Sequence, residues 1–383
     1  MTLVSVIVPM FNAAATIGQT LRSALAQTHD DLEIIVVDDG STDEGPEIVA
    51  ELATRDARIR LIQTPNGGVA AARNVAIDNA KGALIAPLDA DDLWDPRKIE
   101  LQVARLQDAG EGAKLAYAWF APIDAADRIL TPPAMPVVEA PAYYRHLDWN
   151  FISNGSSPLV RAEAMRAVRY DPGLRAAGVE GCEDYLMQLQ VSRLGEFVCV
   201  PACLVGYRKV GGSMGANVAR MLKSHIAVTQ KASAGGDEAA HEIATRRIAE
   251  FRVELARHHM RRGRLGEGGS QLLRAAAGDL GAAIRHAVGQ VSLLRRRAAS
   301  MAPNARTFPY DDPFDFTGAP TSPARAKRTG RLALLDAQSA LSSSASRRIT
   351  AEGSHEVGGK AGSSEANASS EVGETNSRSE RDR

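Results

Sequence analysis

The sequence predicts an α/β protein with a doubly wound, mostly parallel sheet, and three observations carry that reading. Short apolar runs recur along the first ninety residues: LVSVIV (3–8), LEIIVV (32–37), IRLIQ (59–63) and ALIAPL (83–88). Between them lie stretches with helical spacing. These are 14–27, where Ile17, Leu21 and Leu25 recur every fourth residue, then 45–54, 69–80 and 96–109. Strand and helix units of this length close by right-handed crossovers, which makes the strands parallel. Finally, three runs end in polar punctuation: Pro9-Met10-Phe11-Asn12, Asp38-Asp39-Gly40-Ser41 and Asp89-Ala90-Asp91-Asp92. Sheets of this kind bind ligands beyond the carboxyl ends of their strands.

After residue 110 the pattern is less regular. Pro122, Pro132, Pro133, Pro136 and Pro141 interrupt it before a helix-like CEDYLMQLQVSRLG (182–195). The segment 110–210 reads as a second, ligand-facing half of the same domain. From 218 to 300 the chain turns Ala- and Arg-rich, with Leu280, Ile284, Val288 and Val291 on one helical face. Residues 342–383 contain no aromatic, and Ile349, Val357 and Val372 are their only branched aliphatics. That is too little apolar surface to offset ordering entropy. The expected organisation is an α/β domain over 1–215, a helical appendage over 216–300 and a disordered, low-complexity tail over 301–383.

Composition narrows the function classes. The 383 residues carry 45 Lys plus Arg against 46 Asp plus Glu, a formal charge of −1 that gives no bulk attraction for nucleic acid. Cys182, Cys199 and Cys203 cannot build a disulfide framework and lie at no zinc spacing, which fits a reduced, cytoplasmic compartment. MTLVSVIVPMFN reaches its apolar run with no basic region before it, so it reads as mature structure. No window approaches eighteen apolar residues, so no bilayer span is expected. His29, His146, His258 and His259 offer no metal spacing and read as surface or helix residues.

Four stretches can carry chemistry. In IIVVDDGSTD, Asp38 and Asp39 stand at a strand end, able to accept from a base N–H or a ribose hydroxyl; an Asx-turn, with Ser41 and Thr42 as helix caps, explains them equally well. In LDADDLW, Asp89, Asp91 and Asp92 repel one another unless a cation or hydrogen bonds compensate. Mg²⁺ or Mn²⁺ shared with substrate phosphates suits such a set; the other reading is a solvated acidic turn with Asp95 capping the next helix. Asn66-Gly67-Gly68 opens a helix with Arg73 one turn in, which suits a phosphate but is neither GxGxxG nor a Walker loop. Glu183-Asp184 opens another helix, where carboxylates suit the dipole and where one could also act as a general base. Cys182 beside them reads as a packed side chain.

Taken in order and spacing, VSVIVPMFNAAATIGQTLRSALAQT, LEIIVVDDGSTDEG, NGGVAAARNVAIDNAKG and LIAPLDADDLWDPRKIELQ resemble the inverting glycosyltransferases of family 2, which have the GT-A fold. The resemblance runs over about the first 215 residues. It implies a nucleotide-sugar donor, UDP- or dTDP-linked, and a divalent cation, Mn²⁺ or Mg²⁺. Pro9, Phe11 and Asn12 would line the nucleotide pocket, Phe11 standing where the family often has Tyr. Asp39 would read the base with Asp38 supporting it, and Arg73 would lie near the nucleotide. Asp89-Ala90-Asp91 looks like the DxD motif, with Asp91 or Asp92 on the metal and Asp89 near the ribose. Glu183-Asp184 resembles the family's ED pair, making Asp184 the base. Trp149 and Asn154-Gly155-Ser156-Ser157 fall where relatives commonly meet the acceptor.

Two departures matter. A Tyr-Arg-x-His element often follows the ED helix, but here it reads Tyr207-Arg208-Lys209-Val210, without the His. No QxxRW motif is present, which favours transfer of a single sugar over processive synthesis. The resemblance thus implies transfer to a hydroxyl of a saccharide or lipid-linked acceptor, in envelope polysaccharide, lipopolysaccharide or other glycan synthesis. A sugar nucleotidyltransferase would need a Gly-rich basic loop that VPMFNAAAT lacks, and a catalytically silent binding scaffold would have no use for both acidic sets. Arg295-Arg296-Arg297 ending an amphipathic helix suits peripheral contact with the inner face of a membrane; packing on the catalytic domain is the other reading.

Overall fold

The computed structural model describes residues 2–131, 133–209, 217–297 and Asp336. The elements in chain order are β1 (Val4–Met10), α1 (Ile17–Leu25), β2 (Leu32–Asp38), α2 (Gly45–Arg55), β3 (Ile59–Gln63), α3 (Val69–Asn79), β4 (Leu84–Pro87), β5 (Leu93–Trp94) and α4 (Lys98–Ala109). They continue with β6 (Ala113–Ile123), α5 (Tyr143–Asp148), β7 (Leu159–Arg161), α6 (Ala162–Val168), α7 (Gly173–Ala176), α8 (Glu183–Val191) and β8 (Glu196–Arg208). Three helices follow: α9 (Val218–Ser233), α10 (Glu238–Met260) and α11 (Leu265–Arg297).

The strands form one eight-stranded sheet in the order β3-β2-β1-β4-β7-β6-β8-β5. The expected parallel core is present: β1 pairs parallel with β2 and β4, and β2 with β3. Beyond β4 the sheet is mixed, because β7 runs antiparallel to both β4 and β6 and β5 runs antiparallel to β8. Since β6 also pairs parallel with β8, four of the seven pairings are parallel and the sheet is mostly parallel, as expected. Two of the three antiparallel pairings belong to β7, a three-residue strand reached through the irregular segment.

Alternation along β1 divides the core between two faces. Val4, Val6 and Val8 pack with Ile17, Leu21, Ile99 and Val103 on one side, from α1 and α4. Ile7 packs with Ala70, Ala76 and Ile77 of α3 on the other, together with Met165 and Met187. A strand buried on both faces reads as a continuous apolar run, as β1 and β2 do. The helices thus leave one edge open, where β1, β2 and β4 end.

Helices α8 and α9 share a cluster with α5 and α10, made by Tyr143, Tyr144, Leu147, Tyr185, Leu189, Val228 and Ile243. Within it His146 is fully buried, its Nε2 3.1 Å from Gln188 Oε1, and burial pushes its pKa down to about 3. His259 is also buried, and both His146 and His259 lie on helices, as the surface-or-helix reading allows; His29 is buried outside any helix, which corrects that reading for it. The chain divides into compact units at 338/339, and everything described belongs to the first. Of the expected tail, only Asp336 lies among the described residues. It is buried, accepting from the Tyr144 amide at 2.7 Å and pairing with Arg145 at 2.9 Å. The remainder of 301–383 lies outside the described residues.

Candidate active site

Because Met10 pairs with Asp38, the loops after β1 and β2 lie side by side. Asn12 turns there with a φ of 49° and locks them together. Its amide donates to Ser41 Oγ at 2.9 Å and its Oδ1 accepts from the Thr42 amide at 2.8 Å. Asp43 adds a second tie, accepting from the amides of Ala14 and Gly45. Ser41 therefore bridges two loops and does not cap α2, which begins at Gly45; the cap expectation for Ser41 and Thr42 is corrected. Pro9 is buried within β1, while Phe11 is half exposed at the rim. Asp38 accepts from the Ser41 amide at 3.0 Å and from Gln63 Nε2 at 3.4 Å. Asp39 accepts at both oxygens, from the amides of Gly67 at 2.7 Å and Gly68 at 2.8 Å. This carboxylate holds the glycine turn that opens α3, where Gly68 has a φ of 89° that a side chain would strain.

One helical turn later α3 delivers Arg73, 3% exposed, into the middle of the acidic groups. Its Nη2 meets Asp89 Oδ1 at 2.5 Å, its Nη1 reaches Glu183 Oε1 at 3.3 Å, and its guanidinium lies 4.9 Å from the Tyr170 ring centroid. Burial opposes its charge, but Asp89, Tyr170, Glu183 and Asp184 together hold it protonated. Glu183 also accepts from the Gly181 amide at 2.9 Å, which fixes it as a support. Asp184 is half-buried at the start of α8. Burial first, then repulsion from Glu183 and Asp89, raise its pKa to about 7 in spite of Arg73. A Cβ at Gly155 would lie 3.1 Å from Asp89 Oδ2, 3.3 Å from Arg73 Nη2 and 3.7 Å from Asp184 Oδ2. Asp89, Arg73 and Asp184 therefore surround one small space, kept open by a glycine.

The rest of the acidic loop divides into a held carboxylate and an open one. Asp92 is fully buried. Its Oδ2 accepts from Ser156 Oγ at 2.6 Å and Asn154 Nδ2 at 3.3 Å, and its Oδ1 from the Arg208 amide at 3.0 Å. Burial and the neighbouring Asp91 and Asp89 still raise its pKa well above the usual carboxylate range. Asp91 is half-buried, and no side chain among the described residues donates a hydrogen bond to it. Burial and Asp89 push it up to about 6 against the pull of Arg208 and Lys209. A carboxylate short of positive charge at the mouth of a cleft suits a divalent cation held by one or two carboxylates plus ligand oxygens. Among the described residues no group of three or more His, Cys, Asp or Glu is placed to hold a metal ion.

Residues 5–129 match the family model described as "Glycosyl transferase family 2". They form a glycosyltransferase family 2 domain. The chain is 43% identical over 107 residues to an uncharacterized glycosyltransferase of Rickettsia conorii, covering 28% of this chain and 18% of the relative. Over 99 residues it is 43% identical to a chondroitin synthase of Pasteurella multocida, covering 26% and 10%. The alignment thus spans less than a fifth of either relative's length. Among solved structures, a mannosyltransferase of Pyrobaculum calidifontis in complex with GDP-Man and Mn²⁺ aligns with a TM-score of 0.52 at 21% identity, over 76% of this chain and 81% of that one. TarS of S. aureus in complex with UDP-GlcNAc gives 0.52 at 19%, over 73% and 81%. These likenesses establish the GT-A fold.

Within the family 2 domain and the strands that complete its sheet, two acceptor candidates take another place. Asn154 and Ser156 are buried behind Asp92, and Ser156 Oγ also accepts from the Asp89 amide at 3.0 Å. They shape the acidic loop from beneath, because β7 follows them directly and fills the sheet beside β4. Trp149 packs against Phe151 with ring centroids 6.1 Å apart. Val210, where the family His is missing, lies outside the described residues. Sequence reasoning gave no role to Tyr170 or Asp43, and nothing in their neighbours signals one. Arg208 was within reach, since it belongs to the Tyr-Arg element. It is buried, donates to Asp91 O at 2.8 Å and Asp124 O at 3.0 Å, and pairs with Asp127 at 2.8 Å.

Proposed function

We propose that the chain transfers a single sugar from a nucleotide-sugar donor to an acceptor hydroxyl with inversion at the anomeric carbon. The observation that carries this reading is Asp184, a carboxylate with a pKa raised to about 7 that faces Asp89 and Arg73 across the space at Gly155. A general base works best when its pKa lies near the operating pH. In this reading Asp184 takes the proton from the acceptor hydroxyl as its oxygen bonds to the anomeric carbon. The bond from that carbon to the diphosphate oxygen breaks, and the nucleoside diphosphate leaves with the electron pair. The Tyr185 amide holds Asp184, while Arg73 pairs with Glu183 beside it and with Asp89 across the space. Pro9, Phe11, Asn12, Asp38 and Asp39 border the cleft at the ends of β1 and β2, where the base and ribose would lie. Asp91, with Asp89 beside it, would hold Mn²⁺ or Mg²⁺, whose chemistry is to offset charge developing on the leaving diphosphate. Asp92, with both oxygens occupied by protein donors, serves as the anchor of that loop. The acceptor would be a saccharide or lipid-linked saccharide, in the synthesis of an envelope polysaccharide or another glycan.

The test is a panel of UDP-, dTDP- and GDP-linked sugars with and without Mn²⁺, read by thermal shift and by release of the nucleoside diphosphate. Stabilisation by one nucleotide together with Mn²⁺-dependent release supports transfer. No shift and no release with any donor would overturn it in favour of a silent scaffold.

A further inference from the structure

Helix α11 is packed the wrong way round for a helix that belongs only to a protein core. Its small residues face inward: Ala275, Ala282 and Ala283 are buried against Ala249 and Val253 of α10. Its large aliphatics face outward, with Leu273, Leu280, Ile284 and Val288 between 55% and 74% exposed. Spacings of four put Leu280, Ile284 and Val288 on one side of the second half of the helix, with Leu273 exposed on the first half. The helix bends at Asp279, where φ is −150° and ψ is 95°, and Asp279 Oδ1 caps the second half by accepting from the Ala282 amide at 2.8 Å. The turn before α11 repeats the combination, leaving Met260 and Leu265 exposed beside Arg261, Arg262 and Arg264.

The charge around this face is predominantly positive. From residue 257 to 297 the chain carries nine arginines and no lysine, against only Glu267 and Asp279. This lies within a chain whose formal charge is −1. The cations act on one another: burial and then Arg274 lower the pKa of Arg252, and after desolvation Arg262, His259 and Arg264 depress His258. An apolar stripe flanked by exposed arginine is the pattern of a helix that lies in the plane of a bilayer surface.

We propose that α11 and the Met260–Leu265 turn form a docking surface for an anionic lipid bilayer. The aliphatic stripe enters the boundary between headgroups and acyl chains, and the arginines meet lipid phosphates. A second copy of the chain fits this surface less well, because pairing it with itself would bring the two arginine sets together. Membrane contact here does not depend on the transfer chemistry.

The experiment uses the full chain and vesicles of phosphatidylcholine with or without phosphatidylglycerol. The protein is expected to sediment with the phosphatidylglycerol vesicles at low salt, to be released by high salt, and to remain in the supernatant with phosphatidylcholine alone. Arg261→Glu with Arg262→Glu should weaken binding at least about thirtyfold, each cation at an anionic surface being worth roughly fivefold. Leu280→Glu with Ile284→Glu and Val288→Glu should abolish it, the melting temperature reporting whether the fold is kept. Should that triple variant unfold, Leu280→Trp provides a second reading: its emission should shift to the blue on phosphatidylglycerol vesicles. A wild-type chain that ignores such vesicles, or a folded triple variant that still binds them, overturns the proposal. A dimer seen by ultracentrifugation and dissolved by the triple variant, with no vesicle binding, would assign the face to a second copy. All these readouts leave the donor panel above untouched.

Discussion

Arg73 meets Asp89 at 2.5 Å and reaches Glu183 with its other terminal nitrogen at 3.3 Å, so a single buried cation joins the acidic loop after β4 to the start of α8. The two carboxylates are sixteen and 110 residues away from it in the chain. Removing it strands them together with Asp184. Arg73→Met is expected to cost about 3–5 kcal/mol, the usual penalty for breaking a buried ion pair from one side. Arg73→Lys keeps the charge but not the fork, and should recover part of that loss. Urea unfolding of the two variants checks both magnitudes.

As the proposed base, Asp184 should make activity depend on pH in a stated direction. Glu183 and Asp89 push its pKa up with burial, and Arg73 pulls it down, leaving it at about 7. A base must be ionised, so sugar release should rise through about pH 7 and level off above it. Asp184→Asn should keep the nucleotide-induced thermal shift and lose about 10²–10⁴ in rate. Near wild-type transfer by that variant would move the base elsewhere. The same shift acts on stability with the opposite sense. Folding raises this pKa from 3.8, so the proton is held more tightly in the folded state. The stabilisation this gives is complete below about pH 4 and is lost as pH rises through about 7. Asp91 and Asp92 shift in the same direction, so the wild type should melt lower at pH 8 than at pH 5.5, with a smaller difference in Asp184→Asn.

Asp92, a metal candidate by the resemblance, is held in the structure by three protein donors. With Ser156, Asn154 and the Arg208 amide all donating to it, Asp92→Ala leaves three buried donors without an acceptor. The expected cost is about 3 kcal/mol or more, since each unsatisfied buried group costs roughly 1–3 kcal/mol. Asp91→Ala, half-buried and without those donors, should barely move the unfolding midpoint while removing any dependence of nucleotide release on Mn²⁺. Chemical denaturation and a Mn²⁺ titration separate the two carboxylates.

That contrast marks how far the sequence could be read. The acidic loops were legible as chemistry because three carboxylates in four residues at a strand end demand compensation. Their partners were not, because Ser156, Asn154 and Arg208 lie 64, 62 and 116 residues from Asp92 and meet it only in the folded sheet. Strands β1 to β4 were found within two residues of their observed ends, since burial on both faces writes a continuous apolar run. Strands β6 and β8 were missed as strands. β8 contains Pro201, which argues against an inner strand, yet Pro201 is exposed where the pairing skips from Val200 to Cys203. A proline at a bulge costs no ladder hydrogen bond. The alanine-rich face of α11 likewise gave no sign in the sequence that it, and not the leucine face, would be buried.

Gly155 offers the sharpest test of where the reaction takes place. A methyl group there would stand 3.1 Å from Asp89 Oδ2, 3.3 Å from Arg73 Nη2 and 3.7 Å from Asp184 Oδ2. The first two distances are tighter than ordinary contact, so Asp89 and Arg73 must give way by a few tenths of an ångström. Gly155 is not among the residues with positive φ, so alanine brings no backbone strain. Gly155→Ala should therefore fold with a midpoint close to wild type and still be stabilised by the nucleotide, which the proposed function puts at the ends of β1 and β2. Transfer should fall by at least about a hundredfold, the order of loss that a misplacement near 1 Å brings at a reacting centre. Calorimetric binding of the nucleotide beside a rate measurement distinguishes the outcomes. Unchanged transfer would mean that the space enclosed by Asp89, Arg73 and Asp184 is not where donor and acceptor meet, and weakened nucleotide binding at unchanged turnover would place the nucleotide itself there.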